Sequence, residues 1–151
     1  NKKKINKNDF KKYHPSGNLG AKLKTVEEIM LTKEKIPFIS EDSSMREALK
    51  VITEKKLGTL IVKNKKNKTT GIITDGQIRR VGQKNDNFHM LQIKKVMTKN
   101  PIKIDKEVLA AKALSIMNEN KITSLCVYNK PNKSKTIGII HIHSILENNI
   151  T

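Results

Sequence analysis

Two stretches of this sequence, Val26-Glu27-Glu28-Ile29-Met30 and Ile93-Lys94-Lys95-Val96-Met97, carry the same apolar spacing at an offset of 67 residues. A second pair of blocks follows them, because Met45–Val62 matches Ala110–Val127 at an offset of 65 residues. Similarity at a nearly constant offset is typical of a structural unit that occurs more than once in the chain. We therefore interpret the sequence as an internal duplication.

The end of each copy is marked by Gly71-Ile72-Ile73 and Gly138-Ile139-Ile140, which return to the offset of 67 residues. The offset changes where loops are expected, notably in the lysine- and asparagine-rich segments Lys63–Thr70 and Asn129–Thr136. Three blocks in the same order, with length changes confined to loops, support the duplication.

Each copy predicts the same order of elements, β-α-β-β-α. Short strands are expected at Phe38–Ser40 and Ile102–Asp105, and a longer helix follows each of them. Apolar residues spaced as on one helical face predict that the first of these helices is buried on that face: Met45, Ala48, Leu49 and Ile52. We therefore predict an α+β fold, in which residues 25–84 and 92–150 pack sheet against sheet as a pseudo-two-fold pair.

The composition limits the function classes. The 151 residues carry a net charge of +17, but 28 of the 31 basic residues are lysines and the arginines are Arg46, Arg79 and Arg80. Nucleic-acid surfaces favour forked arginine contacts and stacking aromatic rings, whereas aromatic residues make up 3% here. We expect a solvated lysine surface with weak, salt-dependent nucleic-acid affinity and no specific nucleic-acid partner.

Other classes are excluded on simpler grounds. No apolar stretch approaches the roughly 18 residues that a membrane span needs, so we expect no membrane partner. The single cysteine, Cys126, excludes an internal disulfide and a multi-cysteine metal site. The first residues lack the apolar region of a signal peptide, which predicts a cytoplasmic protein. Because the chain begins at Asn1, we expect it to be part of a longer protein.

The paired signatures, the Ala-Leu helices and Gly71-Ile72-Ile73-Thr74-Asp75-Gly76 together resemble a tandem pair of cystathionine β-synthase (CBS) domains, often called a Bateman module. Within that class, Tyr13–Leu23 is similar to the junction found in arabinose 5-phosphate isomerases of the sugar isomerase (SIS) family. Gly71–Arg80, Lys121–Ser124 and His141–His143 are similar to further segments of those enzymes.

This resemblance implies a parent enzyme, an aldose–ketose isomerase that interconverts ribulose 5-phosphate and arabinose 5-phosphate for synthesis of the lipopolysaccharide sugar Kdo. Residues 1–24 would then be the linker or tail of a preceding SIS domain that this chain lacks. His14 is the one catalytic candidate, since the family's junction histidine lies near the isomerase active site and could act as a base. Without its partner residues we expect this chain to be inactive, and the alternative is a histidine in a tail.

The resemblance also implies a ligand site. CBS pairs commonly place a hydroxyl side chain at a strand end and an aspartate three residues later against a nucleotide ribose. Here Thr74 is followed by Gln77, and in the second copy His141 is followed by Ser144. The missing carboxylate predicts that AMP and ATP are poor ligands. Asp75 is either a ligand contact or the cap of the following helix.

Basic side chains complete the candidate site. Arg79 and Arg80 could hold an anion with forked contacts, or could lie on a solvated helix face. His141 and His143 are expected to alternate along a strand and so to share one face. Two histidines could begin a zinc site, but further ligands are needed, so we predict polar cleft residues, no metal and no cofactor. Cys126 is interpreted as core.

The sequence thus predicts a regulatory, ligand-sensing pair that binds an anionic nucleotide or nucleotide-sugar, with CMP-Kdo as a candidate effector. The alternative is a purely structural dimerisation element with degenerate ligand sites. A homodimer is expected, because apolar helix positions exceed what two small sheets can cover; for a full-length enzyme the resemblance implies a tetramer. The positions that suggest this surface are Met45, Ile52, Ala110 and Met117.

Overall fold

The computed structural model describes residues 19–151 and confirms the predicted α+β class. Residues 1–18, among them His14, lie outside the described part of the chain. Two one-turn helices, α1 (Leu19–Lys22) and α2 (Val26–Ile29), come first, followed by a 3-10 turn (Lys33–Lys35). Within the expected tail, residues 1–24, the structure thus places a helical turn at α1.

The first copy has the predicted order of elements: β1 (Phe38–Ser40), α3 (Met45–Lys55), β2 (Thr59–Lys63), β3 (Thr69–Thr74) and α4 (Asp75–Lys84). The segment between the copies contains 3-10 turns at Phe88–Met90 and Ile93–Lys95 and a two-residue strand, β4 (Thr98–Lys99). The second copy repeats the order: β5 (Lys103–Asp105), α5 (Ala110–Asn120), β6 (Ser124–Tyr128), β7 (Gly138–His141) and α6 (Ile142–Glu147). The described helices include none that is long and apolar enough to cross a membrane.

The two copies form separate sheets with matching registers. The first sheet has the order β1-β2-β3-β4 and the second has the order β5-β6-β7. In both sheets the first pair of strands is parallel and the second pair is antiparallel. Thr59 lies opposite Thr74 in the first sheet, and Ser124 lies opposite His141 in the second. The first residues of β2 and β6 therefore lie opposite equivalent residues, which are the last residues of β3 and β7.

The signature segments are exchanged between the copies. Val26 and Ile29 are buried in the core of the second copy, where Val26 N donates to Val108 O at 2.8 Å. The other signature packs on the first copy, because Ile93 is buried in that core and its backbone N donates to Ser43 O at 2.9 Å. Each core is consequently completed by a segment that lies outside its own copy in the sequence.

In each exchanged segment the signature methionine packs closely against a glycine. This close packing explains why these two residue types occur there. A Cβ atom on Gly71 would lie 2.7 Å from Met97 Sδ and 2.7 Å from Thr98 O. A Cβ atom on Gly138 would overlap Met30 Sδ in the same way. The methionine that ends each signature therefore lies against the glycine of the strand in the copy it completes.

A shared apolar cluster joins the two sheets. Buried side chains from both copies meet there: Ile36, Ile61, Cys126 and Ile139. Cys126 is buried as expected, and burial raises the pKa of its thiol to about 11. A cleft at the edge of this cluster is described below.

The helix positions that suggested a dimer surface are explained differently by the structure. Met45, Ile52, Ala110 and Met117 are all buried within the chain, so the apolar surplus inferred from them was wrong. Leu49, which we predicted to be buried, is 42% exposed on α3. The dimer itself stays a prediction.

Candidate functional site

A cleft of about 400 Å³ opens between the two copies. Its floor is apolar, since Ile61, Ile72 and Ile139 lie there, and its rim is polar. Thr59, Thr74, Gln77 and Arg80 line it from the first copy; Thr98, Asn100, Lys121 and Ser124 line it from the connecting segment and the second copy. Of the predicted site residues, the structure places Thr74, Gln77 and Arg80 at this cleft.

Thr74 ends β3 and caps α4. Its Oγ1 accepts a hydrogen bond from Gln77 N at 3.3 Å, and Thr74 N donates to Gln77 Oε1 at 2.9 Å, which makes a reciprocal capping box. The other end of the Gln77 amide, Nε2, donates to Thr98 Oγ1 at 2.8 Å. Both polar atoms of the Gln77 side chain are thus engaged within the protein, and the Thr-x-x-Gln spacing is the sequence signal for this box.

Asp75 and Arg79 form an ion pair on the outer surface. The Arg79 Nη2 to Asp75 Oδ2 distance is 3.4 Å, and the two side chains are 65% and 61% exposed. Asp75 is the first residue of α4 rather than its cap, so the capping interpretation was wrong: Thr74 occupies that position. The pair has the i,i+4 spacing that favours surface ion pairs on helices.

Arg80 and Lys121 are the cations of the cleft. A Cβ atom on Gly76 would lie 3.2 Å from Arg80 Nη1, so the absence of a side chain at Gly76 lets the guanidinium fold back over the first turn of α4. Lys121 follows α5 in the left-handed conformation, at φ 55°. Neither side chain has a hydrogen-bond or ion-pair partner within residues 19–151. Lys121 was missed by the sequence analysis, because a lysine at a helix end carries no motif.

No carboxylate lies among the described residues that line the cleft. Two cations that have no partner within the described residues, together with several hydroxyl and amide groups, therefore surround a partly apolar space. Such a surface suits an anionic ligand with a flat or apolar portion, because the cations attract its charge and the isoleucines cover the rest.

His141 ends β7 and caps α6, so His143 lies in the helix and the predicted alternation of the two along a strand was wrong. Their rings nevertheless stack, with centroids 4.9 Å apart and planes at 10°. His141 Nδ1 accepts from His143 N at 3.2 Å, and its Nε2–H donates to Leu57 O in the first copy at 3.1 Å. Burial, followed by the neighbouring His143, lowers the pKa of His141, which the Leu57 carbonyl partly offsets.

These histidines and Ser144 are not among the described residues that line the open cleft. Ser144 is on α6, where its carbonyl accepts from Asn148 Nδ2 at 2.7 Å. Within residues 19–151, no three His, Cys, Asp or Glu side chains are grouped closely enough to hold a metal ion.

Comparison with known proteins places these features in a family. The CBS domain family matches residues 26–84 and 93–150. The Rickettsia prowazekii protein RP505 is 39% identical over 140 residues, which cover 93% of this chain and 42% of that protein. The arabinose 5-phosphate isomerase KdsD of Escherichia coli (strain K12) is 36% identical over 139 residues, covering 91% of this chain and 42% of KdsD. The chain thus spans about two fifths of the length of these relatives.

Solved structures show the same fold. The CBS-domain protein ATU1752 of Agrobacterium tumefaciens has a TM-score of 0.75 at 17% identity, covering 89% of this chain and 99% of that one. CBSX2, solved in complex with AMP, has a TM-score of 0.73 at 19% identity, covering 82% and 94%. Together with the duplicated sheets and exchanged signatures, these matches show that the chain belongs to the CBS domain family and consists of two CBS domains in tandem.

Proposed function

We propose that this chain is the regulatory, ligand-sensing CBS pair of an arabinose 5-phosphate isomerase-like enzyme, acting in the cytoplasm in Kdo and lipopolysaccharide synthesis. Its ligand is an anionic nucleotide or nucleotide-sugar bound between the copies. The observation that carries the proposal is the pair of unpartnered cations, Arg80 and Lys121, at a cleft without a carboxylate among its described lining residues.

The likeness to nucleotide-bound structures supports the ligand class. CBSX2 was solved with AMP, and the CBS pair of MJ0100 was solved with 5'-methylthioadenosine and S-adenosyl-L-methionine. In this chain, however, the Gln77 amide is occupied by Thr74 and Thr98. A ribose diol would have to displace those bonds, so we expect the phosphate and other acidic groups of the ligand to dominate recognition.

The proposed mechanism follows from the position of the cleft. A ligand there touches Thr74 and Arg80 on one copy and Lys121 and Ser124 on the other. If it binds one packing of the two copies more tightly than another, it shifts their equilibrium. An attached isomerase domain would sense this shift as a change in the relative position of the copies. Association of this chain as a homodimer, and of the full-length enzyme as a tetramer, would transmit this change in position from one chain to another.

We expect CMP-Kdo to bind measurably and AMP to bind weakly in isothermal titration calorimetry. Arg80→Gln should lower the affinity for CMP-Kdo about tenfold or more, because hydrogen bonds to charged groups contribute about 1.5–3 kcal/mol. Arg79→Gln is the matched control: it removes the same charge one position earlier, where the side chain pairs with Asp75 on the outer surface.

The titrations also test the structural alternative. If AMP, ATP, CMP and CMP-Kdo all fail to bind, the purely structural dimerisation element becomes the better description, and the engaged Gln77 amide favours it. Micromolar AMP binding that Thr74→Ala abolishes would contradict the argument from the missing carboxylate.

A further inference from the structure

A groove of about 290 Å³ adjoins the cleft along helix α4. Gln77 and Arg80 line both spaces, and the groove follows the helix from there to its carboxyl end at Lys84 and Asn85. Positions 77, 80, 81 and 84 are three or four residues apart and so lie on one face of the helix. The cleft and the groove therefore share a wall, and a ligand in the cleft has the groove beside it.

The lining of the groove is basic and partly apolar. The half-buried Val81 and Val96 supply its apolar surface, and Lys84 supplies a charge at its far end. No aspartate or glutamate is among the described residues that line it. Within residues 19–151, Lys84 Nζ takes part in no ion pair and no hydrogen bond. Such a lining suits a ligand portion that carries an acidic group on a short apolar stem.

Arg80 and Lys84 are placed to bind different groups. The Arg80 guanidinium folds back over the first turn of α4, since Nη1 lies 3.2 Å from the position that a Cβ atom on Gly76 would take. Lys84 follows Arg80 by four residues, which is about 6 Å along the helix axis. A ligand that places one acidic group at the guanidinium consequently needs a second one, about one helical turn away, to engage Lys84.

Lys84 also has a structural role at the end of α4. A cation in the last turn balances the partial negative charge of a helix end. Asn85 contributes as well, because its Nδ2 donates to the Val81 carbonyl at 3.0 Å. The two full charges of Arg80 and Lys84 exceed the roughly half unit of negative charge at the helix end, so the groove still attracts anions.

We infer that this groove is a subsite for a second acidic group of the ligand, with Lys84 as its anchor. The inference rests on the proposed function for the first acidic group, which Arg80 holds in the cleft. The ligand class that fits both spaces is a nucleotide with two acidic groups about one helical turn apart. A mononucleotide occupies the cleft alone, so Lys84 favours the longer ligand.

Isothermal titration calorimetry of the chain with CMP, CTP and CMP-Kdo, in magnesium-free buffer at low salt, tests the subsite. CTP carries further acidic groups as phosphates, CMP-Kdo carries a carboxylate, and CMP ends at its first phosphate. Lys84→Gln should weaken the binding of CTP and CMP-Kdo about two- to fivefold, as for an exposed charge pair, and should leave CMP unchanged. Lys84→Arg, which keeps the charge, should retain most of the affinity. A response confined to CTP or to CMP-Kdo identifies which acidic group the groove takes.

Lys50→Gln is the matched control. It removes the same charge from an exposed lysine on α3 that lines neither the cleft nor the groove. An equal loss of CTP affinity in Lys50→Gln and Lys84→Gln would reveal an effect of net charge and would overturn the subsite. Equal weakening of CMP and CTP by Lys84→Gln would overturn it too. A purely structural role of Lys84 would lower the Tm of the free protein and leave the ratio of the two affinities unchanged.

Amide signals in NMR spectra locate the second acidic group directly, even when binding is weak. CTP and CMP-Kdo should shift the signals of Lys84, Asn85 and Val96, whereas CMP should shift those around Thr74 only. If neither CTP nor CMP-Kdo moves the Lys84 and Asn85 signals, the groove is not part of the ligand site.

These outcomes separate the subsite from the proposed function. Binding of CMP-Kdo that depends on Arg80 but not on Lys84 contradicts the subsite and supports the effector. Binding of CTP that depends on Lys84, without any binding of CMP-Kdo, supports the subsite and contradicts the effector. If none of the three ligands binds, both proposals are wrong.

Discussion

A fragment of residues 31–100 is expected to fold, whereas a fragment of residues 25–84 is expected to remain unfolded. The shorter fragment follows the copy as the sequence repeat defines it, but it lacks Phe88 and Ile93, both buried in the first core. It also carries Val26 and Ile29, whose packing partners lie in the other copy. The longer fragment contains the whole first core and all four strands of its sheet.

Far-UV circular dichroism with urea titration would compare the two fragments. The 31–100 fragment should show a cooperative transition, and it is expected to self-associate because Ile61 of the shared cluster becomes exposed. A cooperative transition in 25–84, with none in 31–100, would show that the exchanged signatures contribute little to folding.

Gly71→Ala is expected to destabilise the protein by about 3 kcal/mol, at the upper end for an overpacked core position. The new methyl group would lie 2.7 Å from Met97 Sδ and 2.7 Å from Thr98 O. The sulfur can move, but Thr98 belongs to β4, which pairs with Gly71 and Ile72 on β3. Relief therefore requires this edge pairing to open.

Gly82→Ala is a control for which the expected change in stability has the opposite sign. A Cβ atom on Gly82 meets the Phe88 ring at 3.6 Å, an ordinary contact, and Gly82 lies inside α4. Alanine there should stabilise the protein by up to about 1 kcal/mol through helix propensity. Urea unfolding of both variants measures the difference, and adding Met97→Ala to Gly71→Ala should recover only part of the loss. A Gly71→Ala variant as stable as wild type would contradict the packing described here.

The sequence was informative wherever structure depends on local patterns. Apolar runs located the buried strands, and the spacing of Met45, Ala48 and Ile52 located the buried face of α3. Strand β4 was not predicted, because it has only two residues, Thr98 and Lys99, and both are polar and exposed. The exchange of signatures was not predicted either, since it pairs segments that are distant in sequence and local patterns carry no such information.

The site was predicted in part for the same reason. The motif identified Thr74 and Arg80, but it did not indicate that Arg80 lines the cleft and that Arg79 does not. The four-residue spacing of Asp75 and Arg79 could have indicated this difference, because it predicts an ion pair on the helix that engages Arg79. The end of β7 was misplaced because the apolar Ile142 follows His141 without a stop signal, although the strand ends at His141.

The exchanged segments also determine where force enters the molecule. The described chain begins at α1, where Ala21 is buried with Val26 and Ala110 in the core of the second copy. A load applied at Leu19 would therefore enter the second copy first, although α1 precedes the first copy in sequence. The load would reach the first copy through the backbone between α2 and β1, the shared apolar cluster, and the hydrogen bonds of Thr69 with Ser134 and Thr136. The open cleft lies between the copies beside this route, so a ligand in it would add a further mechanical connection between them.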